Sequence, residues 1–212
     1  MIIPLIRPYR TVILANGSYP KHPVALSLLR NAESLVCCDG ATESLLRRGI
    51  EPHYIVGDLD SLRPSTRLRY KHCLHHFPDQ ETNDLTKAVQ FCVTKRWTDI
   101  TILGATGKRE DHTLGNISLL ADYAQYVNVQ LITDYGVFVP HLYSSCYESF
   151  RGQKISIFSL TPDTVFTLHG LKYPLGRPIS SWWQGTLNEA LDDSFLIETE
   201  NGKALVFREH LK

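Results

Sequence analysis

Up to about Thr133 the chain alternates short apolar runs with stretches of helical periodicity, and beyond it the helical pattern stops. That change of texture confines the chain to an α/β region followed by an all-β region. Residues 11–15, 34–38, 54–56, 100–103 and 129–133 form apolar runs of the kind a doubly covered strand needs. Strands separated by helices pair in parallel. Leu85, Ala88, Val89, Cys92 and Val93 mark one face of a helix starting near Asp84, with Thr82 or Asn83 as its N-cap. Leu114, Ile117, Ala121 and Ala124 predict a second helix from Asp111 or His112 to Tyr126, and residues 41–48 a shorter one closed by Gly49. In the all-β part, residues 154–160, 163–168, 194–199 and 203–207 read as strands, the last two joined through Asn201-Gly202 as a type I′ hairpin. The boundary falls near Phe138, giving domains 1–138 and 139–212.

Lys+Arg and Asp+Glu balance at 22 each, so no overall positive field draws the chain to nucleic acid or to an anionic membrane surface. No window approaches the roughly 18 apolar residues of a membrane span, and the N-terminus lacks the pattern of an export signal. Five cysteines, an odd number without CxxC spacing, read as reduced thiols of a cytoplasmic protein.

Chemistry gathers at strand ends. Cys38-Asp39-Gly40-Ala41, Gly57-Asp58-Leu59-Asp60-Ser61, the stretch from Asp79 to Lys87 and the stretch from Gly104 to His112 each follow an expected strand. Ligands of open parallel sheets bind beyond those carboxyl ends, so the motifs converge on one edge. A single Asp after a strand is most often a turn or cap residue. Several carboxylates brought together repel one another and call for a cation, and an all-oxygen set suits Mg²⁺ better than zinc. Asp58, Asp60 and Asp84 are the expected ligands, and Mg²⁺ in turn implies phosphates.

Asn16-Gly17 and Gly104-Ala105-Thr106-Gly107 are read as loops whose backbone N–H groups approach anionic oxygens, with Lys108 and Arg109 adding positive charge. Neither common phosphate-binding fingerprint occurs, G-x-x-x-x-G-K-[ST] or G-x-G-x-x-G. Lys87, one turn after Asp84, either faces the same site or is an i,i+3 partner on a solvated face. His72, Cys73, His75 and His76 are read as a polar surface strand, because alternate strand residues point to opposite sides and cannot share one zinc ion. Trp182 and Trp183 read as packing residues, with a flat face for a heteroaromatic ligand as the alternative.

Taken in order, Asp39-Gly40, Gly57 to Ser61, Asp79 to Lys87 and Gly104 to His112 resemble the motifs of the thiamine pyrophosphokinases. Gly170 to Leu175 and Thr186-Leu187-Asn188 are similar to two later segments of that family. Asn83 stands where the family usually has Thr, and Leu187 where it usually has Ser. The resemblance implies a Rossmann-like α/β domain and a β-sandwich domain. It also implies a homodimer whose active sites lie between the α/β domain of one subunit and the β domain of the other. The implied reaction transfers pyrophosphate from Mg-ATP to the hydroxyethyl group of thiamine, releasing AMP. On this resemblance Asp58, Asp60 and Asp84 hold Mg²⁺ and Asp39 supports it. Asn16, Gly17, Gly40, Lys87, Gly104, Gly107, Arg109 and His112 surround the nucleotide, and the general base is Asp84 or Asp111. Trp182 or Trp183, Thr186 and Asn188 meet the thiamine. The alternatives are a pterin-alcohol pyrophosphokinase, a D-x-D nucleotide-sugar glycosyltransferase, and a catalytically silent thiamine or nucleotide sensor.

Overall fold

In chain order the computed structural model, which describes residues 2–175 and 178–211, runs β1 (Ile2–Ile3), β2 (Thr11–Leu14), α1 (Pro23–Arg30), β3 (Ser34–Cys38), α2 (Asp39–Leu46), β4 (Tyr54–Gly57), α3 (Pro64–Arg69), β5 (Leu74–His76), α4 (Asp84–Thr94), β6 (Asp99–Leu103), α5 (Glu110–Ser118) and α6 (Leu120–Tyr123). It continues with β7 (Asn128–Ile132), β8 (Gly136–His141), β9 (Ser145–Glu148), β10 (Lys154–Ser159), β11 (Thr167–His169), β12 (Gly185–Glu189), β13 (Ser194–Glu198) and β14 (Ala204–Glu209). Two units result. One holds Pro8–Leu119 and Tyr123–Asp134, and the other holds the segment up to Arg7, Leu120–Asp122 and everything from Tyr135 onward. The expected division at Phe138 falls inside β8, whose pairing with β14 along its whole length carries it into the second unit.

In the first unit the strands lie in the order β7-β6-β2-β3-β4-β5, and all five pairings are parallel. Val12, Ile13, Val36, Cys37, Ile55, Val56, Ile100 and Ile102 are buried, as strands covered on both faces require. The chain winds outward from β2 through β3, β4 and β5, then returns to place β6 on the other side of β2. The direction therefore reverses between β2 and β6, and a crevice opens there beyond the strand ends.

Helix α4 begins where expected: Asn83 Oδ1 accepts from the Thr86 N–H at 2.8 Å, so Asn83 and not Thr82 is the cap. The helix expected over residues 111–126 is instead two, α5 and α6, and no residue of α5 is fully buried. Its apolar stripe is too thin to bury a continuous face, and Leu114 is exposed. Helix α2 starts two residues earlier than its sequence suggests, taking Asp39 into its first turn, where negative charge is favoured. Cys73 is buried on a 3₁₀ turn rather than a surface strand. His75 packs against Phe91 with ring centroids 4.4 Å apart, so it belongs to an aromatic cluster with Tyr54 and Trp97.

The strands of the second unit lie in two orders, β1-β9-β13-β11 and β12-β10-β14-β8. The buried Tyr147 of β9 and His141 of β8 join them by a 2.7 Å hydrogen bond. The Asn201-Gly202 hairpin does not form: β13 pairs with β9 and β11, whereas β14 pairs with β10 and β8. Neither turn residue has positive φ. Gly202 is required for space, since a Cβ there would lie 2.0 Å from Thr164 Cγ2. The strand expected at 163–168 shrinks to β11.

Candidate active site

At the crevice between the loops after β2 and β6 lies a cleft of about 430 Å³. Asn16 and Gly17 line it from one side, Thr106, Lys108, Arg109 and His112 from another, and Asp58, Asp84 and Lys87 at its acidic end. Each carboxylate arrives from a separate strand end. Asp39 opens α2 directly after β3, Asp58 follows β4, and Asp84 opens α4. Their oxygens come within 4.8 Å of one another.

Asp39 is 0% exposed, and its Oδ2 is buried without a hydrogen-bond partner. Its Oδ1 accepts from the Gly40 N–H. A buried carboxylate oxygen left bare costs desolvation energy unless something binds it. Together with Asp58 and Asp84, that oxygen makes a donor set suited to a hard divalent cation. Burial first, then the charge of Asp84, pushes the Asp39 carboxyl up from 3.8 to about 6. The Asp60 N–H, donating to Asp58 Oδ1 at 3.0 Å, is the main cause that draws Asp58 down.

Asp60 stands outside the group. Leu59 is buried with φ 70, which reverses the backbone between the two carboxylates, and Asp60 is left exposed. The trio is thus Asp39, Asp58 and Asp84, not the expected Asp58, Asp60 and Asp84. Asp79 also stays apart, accepting from Thr82 and Glu81 to shape the turn before α4.

Lys87 does face the site: it is 2% exposed, and its ammonium donates to Asp84 Oδ1 at 3.4 Å. Several N–H groups of the glycine loops already have partners within the protein. Gly17 N–H donates to the Gly104 carbonyl and Ser18 N–H to that of Thr106, so the loops after β2 and β6 bind each other rather than leaving these N–H groups free for phosphate. A Cβ on Gly17 would lie 2.4 Å from both carbonyl oxygens. Gly107 N–H donates to Thr113 Oγ1, and Gly40 makes room for Asn16, whose Oδ1 accepts from Lys108.

Arg109 grips Asp111 through Nε at 3.1 Å and Nη2 at 2.5 Å, and this pairing holds the exposed Asp111 at about 2. A carboxylate so acidic is a poor proton acceptor near neutrality. Asn116, absent from the motif reading, lines the cleft and ties the Ala105 carbonyl to the cap Asn83. Its place one helical turn after His112 was the available signal.

In the second unit, Trp182 and Trp183 are about half exposed, so neither is a core residue, and Trp182 stacks on Phe158. Thr186 is half-buried, its N–H bound to the Trp183 carbonyl. Asn188 is buried, with its amide spent on the backbone N–H and carbonyl of Tyr173. These bonds make Asn188 an anchor for the Gly170 to Leu175 segment.

Two consequences are measurable. A Cβ on Gly57 would sit 2.8 Å from Asp39 Cγ, so Gly57→Ala should displace that carboxylate and weaken Mn²⁺ binding by about tenfold while the fold persists. Titration calorimetry showing unchanged affinity would contradict this. Because Asp39 carries its proton below about 6, metal affinity should fall as pH drops through that value. The metal-free fold, on this group's account, should lose stability as pH rises from about 4 towards 6, since folding then favours the protonated acid. Calorimetry at pH 5 and 7.5 checks the first sign, and metal-free melting curves check the second.

An α/β unit that carries a carboxylate cleft is followed by an all-β unit, a two-unit and sheet-rich architecture. Residues 25–132 match the family described as thiamin pyrophosphokinase, catalytic domain, and residues 136–207 match its substrate-binding domain. The chain belongs to the thiamin pyrophosphokinase family. It is 33% identical over 148 residues to the thiamine pyrophosphokinase of Bacillus subtilis, covering 66% of this chain and 69% of that protein. With thiamin pyrophosphokinase 1 of Caenorhabditis elegans it is 31% identical over 119 residues, covering 52% of this chain and about half (49%) of that protein. The crystal structure of the Bacillus subtilis enzyme superposes with a TM-score of 0.76 at 25% identity, covering 94% of this chain and 98% of that one.

Proposed function

We propose that the protein is a thiamine pyrophosphokinase, transferring pyrophosphate from ATP to the hydroxyethyl oxygen of thiamine and releasing AMP. The observation that carries this reading is the bare, buried Asp39 oxygen within reach of Asp58 and Asp84, at the switch point of a parallel sheet. Asp39, Asp58 and Asp84 would hold Mg²⁺, which supplies charge neutralisation for the polyphosphate when bound. Lys108 and Arg109 add positive charge to the cleft wall that faces the nucleotide. Asn16 fixes Lys108, and Asp111 fixes Arg109. The hydroxyl proton of thiamine would pass to Asp84 or Asp111, each of which is paired with a cation, Lys87 and Arg109 respectively.

The reading of the first unit as Rossmann-like rests on its parallel pairings. The reading of the second as a β-sandwich rests on its two sheets and the Tyr147–His141 bond. Thiamine is assigned to the second unit near Trp182, Trp183 and Thr186, in a homodimer, with the half-exposed tryptophans and the 84% exposed Leu187 as support. A cytoplasmic location accords with five free thiols. No helix among the described residues is long and apolar enough to cross a membrane.

The D-x-D glycosyltransferase reading loses its basis, because Asp60 does not join Asp58 at the cleft. The complete trio also speaks against a silent sensor. The test separates acceptors: with Mg-ATP, AMP should appear on addition of thiamine and not of a hydroxymethyl pterin. Release with the pterin alone would overturn the substrate assignment.

A further inference from the structure

Three carboxylates crowd within 4.8 Å at the acidic end of the cleft. The side chain that answers them there, among the described residues, is Lys87, whose ammonium is buried and 3.4 Å from Asp84 Oδ1. Lys108 and Arg109 also line the cleft, but Lys108 is turned to Asn16 and Arg109 to Asp111. With the trio ionised, Lys87 leaves two negative charges uncompensated, which one divalent cation neutralises. Without Lys87 a single dication would leave a residual negative charge in a desolvated corner, and the empty trio would attract cations more strongly.

We propose that Lys87 is the built-in counter-ion of the carboxylate group, a positioning residue that limits it to one divalent cation and weakens its hold on that cation until a nucleotide brings phosphate oxygens as further ligands. The inference rests on the metal-binding reading given above and adds to it a reason for burying a lysine beside the ligands. An ordinary i,i+3 ion pair would leave the lysine head in solvent. Here the ammonium is drawn inside, where it both steadies Asp84 and repels an incoming cation. Once the polyphosphate has arrived, the same charge works in the opposite sense, because it now faces additional anionic oxygens.

The test is Mn²⁺ binding to nucleotide-free protein at about pH 8, followed by electron paramagnetic resonance of the free ion, with wild type, Lys87→Met, Lys87→Gln and Lys87→Arg. Both neutral variants should bind Mn²⁺ at least about tenfold more tightly than wild type, or take up a second ion. Lys87→Arg, which keeps the charge, should bind as wild type does. ATP should then strengthen Mn²⁺ binding in wild type by a larger factor than in Lys87→Met. Near-ultraviolet circular dichroism identifies the folded variants, and either neutral variant suffices. Unchanged or weaker Mn²⁺ binding in a folded neutral variant overturns the proposal while leaving the metal site standing. Absence of Mn²⁺ binding by wild type even with ATP overturns both.

Discussion

Asp58→Asn and Asp84→Asn should each lower kcat by on the order of a hundredfold or more and leave the fold unchanged. An amide keeps the size of each side chain but removes a charge from a group whose third member, Asp39, already carries a bare buried oxygen. The two variants should differ in their other readouts. Asp84 also receives the Lys87 ammonium and opens α4, so its loss frees a buried cation as well as a ligand. Asp58 is partly exposed and held chiefly by the Asp60 N–H, an interaction that an asparagine oxygen can still accept. Asp60→Asn, outside the trio, should cost far less than either. Steady-state kinetics over a range of Mg²⁺ concentrations checks all three, and a larger loss for Asp60 than for Asp58 would contradict the assignment of ligands.

Arg208→Ala should destabilise the protein by on the order of 3–5 kcal/mol. The Arg208 guanidinium is buried and donates to the carbonyls of Ile3, Pro4 and Glu148 at 2.8–3.2 Å, and to Leu5 at 3.4 Å. It also lies over the Tyr147 ring. Burial draws its ionisation down to about 10, yet the group stays charged near neutrality. Truncation leaves several carbonyls unpaired and opens a cavity, an outcome that relief of the buried charge only partly offsets. Because β1 runs beside β9 and three of these carbonyls belong to residues 3–5, the variant should also free the N-terminal segment to proteolysis. Chemical denaturation and limited digestion test the two effects. A loss below about 1 kcal/mol would mean that water replaces the guanidinium.

The residues of the first unit announced themselves because local and global preferences agree there. Apolar runs of three to five residues, separated by helical patterns, can pair in parallel in few ways, and the acidic motifs had to fall at strand ends. Asp39, Asp58 and Asp84 were legible for that reason. Asp60 falls outside the close group of carboxylates, and spacing in sequence says nothing of the positive φ at Leu59 that lies between it and Asp58. The glycines after β2 and β6 were legible as special, but the meeting of their two loops was not, because only the packing shows which carbonyl the Gly17 N–H finds. In the second unit contacts are long-range. Asn201-Gly202 has the composition of a hairpin, but β13 and β14 belong to different sheets, a choice made by partners far along the chain. The attachment of residues 3–5 to Arg208 spans nearly the whole sequence and leaves no local trace.

Transfer of an intact pyrophosphate group is the central claim, and the fate of a terminal label tests it most directly. With Mg²⁺, thiamine and ATP labelled at the γ-phosphorus, the label should appear as the terminal phosphate of thiamine diphosphate, with AMP formed in equal amount. Label recovered in thiamine monophosphate alongside ADP, or as inorganic phosphate with thiamine unchanged, would contradict the account.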